Sequence, residues 1–282
     1  MAALPGVRAF HVDSTLLDGL HGLFLTELPV ELRHLSVGCL KLPSEVVAQL
    51  SQYTGLRSLA LRCWSEDIQP ADVAACLANC VHLQRLVLSL KKFSAACLPP
   101  AGLTELRHLD LSLCSLTDAD LDWLLARLPD IESLSLRWCR GLSQRGLASL
   151  GHLSALSFLS LAGTDGVCYK LLKAVLSALR LVELELGDFS LPGNESSSSE
   201  VLTIDTARGL YGLLWRHNSL RTLVLRDGLH EERISCERGQ TLYWVLRDCL
   251  NKLTWKEKEN DLAVGAISRR SSRHSSEDDG YW

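Results

Sequence analysis

The stretch LRHLDL at residues 106–111 decides how this chain folds, because it is one of nine copies of a short apolar pattern. In each copy, apolar side chains stand at the first, fourth and sixth positions. Their alternation with other residues predicts a β-strand that buries one face. The copies begin at Val7, Leu32, Leu56, Leu83, Leu106, Ile131, Leu156, Leu181 and Leu220. Successive starts are 25, 24, 27, 23, 25, 25, 25 and 39 residues apart, which indicates repeats of one structural unit.

Most copies are followed by a segment with apolar residues at helical spacing. The clearest are residues 44–53, 118–128, 166–179 and 206–217. We expect Asp118 to be the N-cap of the second of these helices. In the fourth repeat, Pro99 and Pro100 exclude a regular helix through its end, so the sequence predicts a short 3₁₀ turn there.

One strand and one helix cannot bury their apolar faces alone, so the units must stack. The predicted fold class is α/β: a leucine-rich-repeat solenoid, or horseshoe, of about nine repeats. Parallel strands line its concave face and helices its convex face. We place the solenoid at residues 1–255, with a Ser-rich insertion at 191–204, and a disordered polar tail at 256–282. Basic and acidic neighbours mark candidate phosphorylation sites in this tail, at Ser271, Ser272, Ser275 and Ser276.

Composition narrows the class of protein. The formal net charge of -4 lacks the basic excess of a general nucleic-acid binder, so no nucleic-acid partner is expected. The sequence contains no run of about 18 apolar residues, and its start has no charged and apolar signal-peptide pattern. We therefore expect an intracellular protein of the cytoplasm or nucleus, not bound to membrane, whose ten cysteines stay reduced.

The residues that carry chemistry do not form a recognisable catalytic or metal-binding motif. Cys76 and Cys80, with His82 nearby, have the i,i+4 spacing of metal ligands, but they also form an ordinary apolar helix stripe, which is the interpretation we favour. No phosphate-binding glycine motif and no His-Glu-x-x-His occur. The prediction is a protein that is not an enzyme, with no cofactor, no metal and no catalytic residue.

The concave face is where the sequence points to a binding function. The third, fifth and seventh positions of each copy should point out of the sheet. They are basic-leaning in repeats one to six and acidic at Glu183 and Glu185 in the eighth. Arg and Trp are enriched at interface hot spots. The predicted partner contacts are Arg62, Trp64, Arg85, His108, Arg137, Trp138 and Phe158. Arginine also recurs at the second position of the copies, a column that we interpret as a feature of the repeat itself. Its members are Arg8, Arg33, Arg57, Arg107 and Arg221.

A cysteine follows the strand in several repeats, at Cys39, Cys63, Cys114 and Cys139. Residues 109–124 read LDLSLCSLTDADLDWL, and residues 134–150 read LSLRWCRGLSQRGLASL. Both resemble the cysteine-containing leucine-rich repeat of F-box and leucine-rich-repeat proteins, whose unit is LDLSxCxxLTDxGLxxL. The resemblance covers residues 7–255. Cysteine suits this turn because it is small and readily buried.

The resemblance implies a substrate-recognition subunit of cullin-type ubiquitin ligases, or a relative of one, that binds a protein on its concave face. Its partners would include ligase adaptor or cullin components. The family's F-box would precede the repeats, but the first copy begins at Val7 and no F-box is recognisable. A truncated form and a stand-alone relative both fit. The alternative function is a structural scaffold in a stable intracellular complex without a ubiquitin role. Outside its complex we expect a monomer.

Overall fold

The computed structural model describes most of the repeat region. The described residues are 6–13, 25, 27–40, 42–64, 68–99, 102–187, 212–214, 217–227, 230–236, 242, 245, 247 and 251. The predicted insertion at 191–204 and the predicted tail at 256–282, with its four serines, lie outside them.

Ten strands of the described residues form one sheet in chain order. The first nine are parallel to their neighbours, and the last turns back antiparallel to the ninth. The strands are β1 (Ala9–Asp13), β2 (His34–Cys39), β3 (Ser58–Cys63), β4 (Arg85–Leu90), β5 (His108–Asp110), β6 (Ser133–Ser135), β7 (Phe158–Ser160), β8 (Glu183–Gly187), β9 (Thr222–Asp227) and β10 (His230–Ser235). Each of the first nine begins at the third residue of a predicted copy, so the predicted solenoid is confirmed. The terminal hairpin was not foreseen.

The pairing register explains why the leucines repeat. Leu59 of β3 pairs with Leu35 of β2 and Leu86 of β4, and the same column continues through the later strands. Each of these three side chains is at most 1% exposed. Burying a leucine fully contributes about 1.5–3 kcal/mol. The stacked leucines therefore form one continuous core along the solenoid.

Helices cover the other side of the sheet. Within the described residues they are α1 (Ser44–Gln49), α2 (Pro70–Ala78), α3 (Asp118–Arg127), α4 (Gln144–Ala148) and α5 (Tyr169–Ala178). The fourth repeat has only the predicted 3₁₀ turn, at Ala95–Cys97. Of the predicted helix at 206–217, residues 212–214 and 217 are described; 212–214 are helical and His217 is not.

The predicted cap of α3 was wrong by one residue. Thr117 is the N-cap: its Oγ1 accepts from the Asp120 amide at 3.2 Å, and its own amide donates to Asp120 Oδ2 at 3.1 Å. Asp118 instead reaches the next repeat, where its carboxylate accepts from the Ser143 amide at 2.8 Å and the Ser143 hydroxyl at 2.5 Å. These bonds lower the pKa of Asp118. The side chain expected to begin one helix therefore joins two repeats.

The strand ends divide the repeats into two kinds. β2 to β4 run six residues each, up to Cys or Leu, whereas β5 to β7 have only three. After the short strands, one residue per repeat adopts a positive φ: Leu113 at 67°, Trp138 at 56° and Gly163 at 68°. This extra turn residue precedes the buried cysteine. If the two kinds of repeat are aligned from the first residue of each copy, the positions after the strand are therefore shifted by one residue.

The post-strand cysteines bind the preceding repeat, as their predicted packing role suggests. The Cys114 thiol donates to the Leu88 carbonyl and the Cys139 thiol to the Leu111 carbonyl, both at 3.2 Å. Thr164 takes the equivalent place in the next repeat, where its hydroxyl donates to the Leu136 carbonyl at 2.5 Å. It is 4% exposed, so the position requires a small buried donor rather than cysteine itself.

Candidate partner-binding surface

The concave face is less open at its centre than the sequence suggested. Ser135, Ser160 and Glu185 occupy one row across β6 to β8, yet each is at most 8% exposed. In a concave sheet, larger side chains on adjacent strands converge over small ones. The predicted room above the small residues is therefore absent here, and Ala60, Val87 and Ser89 on β3 and β4 are buried as well. The exposed concave side chains are found towards the N-terminus, as at His34, Arg62 and Arg85.

A groove of about 530 Å³ lies at the start of strands β2 to β5. We call it the basic groove; its lining residues are His34, Arg57, Ser58, Gln84, Arg85, Glu105, Arg107, His108 and Glu132. It brings together two predicted contact residues, Arg85 and His108. It also includes Arg57 and Arg107, from the column that we had interpreted as a feature of the repeat.

That column divides into two kinds of arginine. Arg33 donates to the Gly55 carbonyl at 3.3 Å, and Arg107 donates to the Thr104 and Leu106 carbonyls at 3.2 and 3.1 Å. These two stabilise loops between repeats, as the repeat-feature interpretation expects. Arg57 is exposed and makes no side-chain hydrogen bond or ion pair with described residues. Sequence spacing alone could not separate Arg57 from its equivalents.

Charges within the basic groove are unequally compensated. Glu132 lies 3.7 Å from Arg107, and Glu105 pairs with His82 at 3.0 Å, outside the groove lining. The hydrogen bond from His82 is the main cause of the lowered Glu105 pKa, and the charge of Arg57 adds to it. Arg85, like Arg57, is exposed and makes no hydrogen bond or ion pair with described residues.

Burial lowers the pKa of His108, and the adjacent Arg85 guanidinium lowers it further, while Glu132 acts in the opposite sense. The His108 ring therefore favours its neutral form more than an isolated histidine does. The groove's positive charge at neutral pH comes mainly from its arginines.

The C-terminal half of the concave face compensates its own charges. Glu185 forms an ion pair with Arg226 and lies 3.7 Å from Arg137 Nε. Arg226 also pairs with Glu231 at 2.7 Å. Glu183 accepts from Arg233 of β10 at 3.1 Å. The expectation of an acidic zone here was wrong: Arg226, at the seventh position of the ninth copy, pairs with Glu185, and Arg233 of β10, a strand that the sequence analysis missed, pairs with Glu183.

The two predicted Arg–Trp pairs differ in structure. Trp138 is half-buried, and its indole lies over Gly163, where a Cβ would come within 2.6 Å of the ring. Trp64 is 47% exposed, and Leu40, at the equivalent position of the preceding repeat, is 46% exposed. Arg62, two residues before Trp64, is exposed and makes no side-chain hydrogen bond or ion pair with described residues. We call Leu40, Arg62 and Trp64 the rim patch.

Phe158 begins β7 and is half-buried, in register between Ser133 of β6 and Glu183 of β8. Small or polar neighbours on both sides leave part of the ring uncovered on the concave face. Of the seven predicted contacts, the basic groove brings Arg85 and His108 together and the rim patch unites Arg62 and Trp64. Phe158 lies further along, and Arg137 and Trp138 are engaged by neighbouring repeats.

Comparison with known proteins identifies the repeat family. A family profile described as "FBD-associated F-box protein At5g56370, LRR repeats" matches residues 45–233, which is more than half of the chain. The chain belongs to this leucine-rich-repeat family. A solved internalin structure from Listeria monocytogenes str. 4b F2365 is similar, with 19% identity and a TM-score of 0.44. The match covers 71% of this chain and 49% of the internalin, about half of its length. No curated protein matches the chain.

Leucine-rich-repeat proteins are typically interaction modules without catalysis, and the cysteines here fit such a role. Cys76 on α2 and Cys80 two residues after its end are fully buried, and the Cys80 thiol donates to the Cys76 carbonyl at 3.3 Å. Burial raises the pKa of Cys80 to about 11 and that of Cys139 to about 12, so both thiols stay protonated. Among the described residues, no three His, Cys, Asp or Glu side chains are grouped to hold a metal ion.

The short fourth repeat leaves an apolar depression on the convex side that sequence reasoning missed. Its volume is about 300 Å³, and Leu98, Leu103, Trp123 and Leu128 contribute to its lining. The Arg127 guanidinium covers the Trp123 ring at 4.3 Å. In the part of the leucine-rich-repeat chain that the structure describes, no helix is long and apolar enough to cross a bilayer.

Proposed function

We propose that this protein binds a protein partner on the concave face of its sheet, without catalysing a reaction. The partner contacts would be the basic groove, the rim patch and Phe158. Arg137 and Trp138 contact neighbouring repeats. They would support binding indirectly, by shaping the surface that the partner contacts.

One observation carries this proposal: Arg62 and Arg85 on the concave face, and Arg57 directly before β3, are exposed and have no hydrogen bond or ion pair with a described residue. Exposed arginines without an ion pair can bind acidic groups of a partner through charge-assisted hydrogen bonds. Trp64 and Phe158 add partly exposed aromatic surface. Arg and aromatic side chains are the residue types that dominate protein interface energetics.

We further propose that the partner is a client of ubiquitin ligation and that the chain acts as a receptor, or a relative of one, inside the cell. The support is the F-box-associated description of the matching family and the resemblance of its cysteine-containing repeats. A receptor of this kind holds a client with its repeats while ligase subunits bind elsewhere.

Affinity purification from cells tests both statements. The variant R62A/R85A/F158A removes two arginines and one aromatic ring from the concave face. The control R145A/R180A/Y169A removes the same residue types from exposed positions on or next to the convex helices. We expect the main partner to be lost from the first variant and kept by the second, with both variants folded by circular dichroism; the first will have a somewhat lower unfolding midpoint because Phe158 is half-buried.

Two results would count against the proposal. Retention of every partner by the concave variant would refute binding on this face. If the wild-type protein repeatedly purifies without any cullin or adaptor subunit, the ubiquitin role is refuted while concave binding still stands.

A further inference from the structure

The basic groove differs from the rest of the concave face in one respect. In the C-terminal half, Arg137, Arg226 and Arg233 each lie within ion-pairing distance of a glutamate. In the basic groove, Arg57 and Arg85 form no ion pair with a described residue, although the charge of Arg57 acts on Glu105. The fold pairs the arginines of the C-terminal half and leaves Arg57 and Arg85 without a direct ion pair.

We propose that the basic groove binds an acidic segment of the partner protein, with aspartate or glutamate side chains contacting Arg57 and Arg85. This inference rests on the proposed function, whose partner class it specifies. Guanidinium groups bind carboxylates through two parallel hydrogen bonds, and such charge-assisted bonds are stronger than neutral ones.

The groove's dimensions fit a short extended peptide. Its concave lining comes from four consecutive strands, β2 to β5, through His34, Ser58, Arg85 and His108. Neighbouring strands are about 4.8 Å apart, so these four span roughly 14 Å. An extended chain advances about 3.3 Å per residue, and about four residues therefore cross the groove. Ser58, in register with Arg85, is small and leaves space beside its guanidinium.

Its charge pattern favours discrete carboxylates over a uniform polyanion. Glu105 and Glu132 line the groove on the side where the strands begin, and both are exposed. They would repel a nucleic-acid backbone, which carries a phosphate on every nucleotide. A peptide can place its acidic side chains opposite Arg57 and Arg85 and a neutral residue opposite the glutamates. Its amides can also donate to those glutamates.

A direct binding measurement tests the inference with defined probes. The acidic probe is a fluorescein-labelled nine-residue peptide of alternating Glu and Ser, and the neutral probe replaces each Glu by Gln. The full chain is titrated into each probe, and fluorescence anisotropy is recorded at 50 and 200 mM salt. We expect binding of the acidic probe only, weakened at the higher salt concentration because exposed charges are screened.

Charge-matched variants localise the binding. R57Q/R85Q removes two positive charges from the groove, and R145Q/R180Q removes two from positions outside the concave face. We expect the groove variant to weaken acidic-probe binding at least tenfold and the control to change it less than twofold. Far-ultraviolet circular dichroism verifies that both variants are folded, because exposed arginines contribute little to stability.

Equal weakening by both variants would overturn the inference, since it would reveal a response to net charge alone. Tighter binding of a single-stranded oligonucleotide than of the acidic probe would overturn it as well. The purification experiment separates this inference from the broader function. If R57Q/R85Q keeps the partner that R62A/R85A/F158A loses, concave binding stands and the acidic-segment assignment fails.

Discussion

Replacing Gly163 by alanine tests whether Trp138 is committed to packing between repeats. Gly163 has a φ of +68° and lies beneath the Trp138 indole. A Cβ built on Gly163 would come within 2.6 Å of Cδ2 and Cε3 of that ring, closer than a real contact allows. The indole would have to move, and the stacking of the sixth repeat on the seventh would loosen.

The expected cost has two parts. A left-handed backbone costs an alanine roughly 1–2 kcal/mol. Leu113 and Trp138 adopt this conformation at equivalent positions, so the backbone can tolerate a side chain here. The clash with a packed ring adds about 1–3 kcal/mol, as overpacking usually does. We therefore expect G163A to lower the free energy of unfolding by about 2–5 kcal/mol.

A double-mutant cycle separates the two parts. In a W138A background, the ring is gone, and G163A should cost only the backbone part, roughly 1–2 kcal/mol. The coupling between the two substitutions should then be about 1–3 kcal/mol. Urea unfolding followed by circular dichroism at 222 nm measures all four proteins. If the two substitutions add without coupling, the indole does not lie over Gly163, and Trp138 would return to the set of partner-contact residues.

Three more predictions concern the polar contacts and a buried thiol of the solenoid. Glu185→Gln keeps the shape but loses the charge that faces Arg226, so urea unfolding should show a loss of about 1.5–3 kcal/mol; an unchanged midpoint would contradict this ion pair. Thr164→Val should cost about 1 kcal/mol in the same assay and Thr164→Cys less, because only cysteine keeps a donor for the preceding repeat; equal costs would refute the shared role. Cys139 has its pKa raised to about 12 by burial, so below that pH the unreactive thiol predominates and native-state alkylation at pH 8 should be far slower than at half-buried Cys168. Mass spectrometry would reveal the opposite order if Cys139 were accessible.

The repeat spacing was enough to predict the architecture, because each leucine column serves a core that is the same in every unit. All nine predicted strands begin at the third residue of their copies. The 3₁₀ turn before Pro99 also followed from local chemistry, since proline cannot continue a helix.

The candidate surface was only partly predictable, because it depends on contacts between residues distant in sequence. Arg57 and Arg107 occupy the same position of the pattern, yet Arg107 is bonded to carbonyls and Arg57 is not. Glu185 looked like a concave acidic residue, but Arg226, 41 residues later, neutralises it. Trp138 looked like the counterpart of Trp64 in the sequence. In the structure it is instead an extra turn residue, as are Leu113 and Gly163 in the neighbouring repeats. A one-residue shift in the turn changes which side chain faces solvent, and spacing does not reveal such shifts.

Site-specific photocrosslinking tests the central claim, which is that a partner protein contacts the concave sheet. A benzoylphenylalanine replaces Ser58 on the concave face in one version of the protein and exposed Ala174 of α5 on the convex face in another. Both proteins are irradiated in cells and purified under denaturing conditions. The account predicts a crosslinked partner from position 58 and none of the same mass from position 174. A crosslink to that partner from position 174 alone would contradict it.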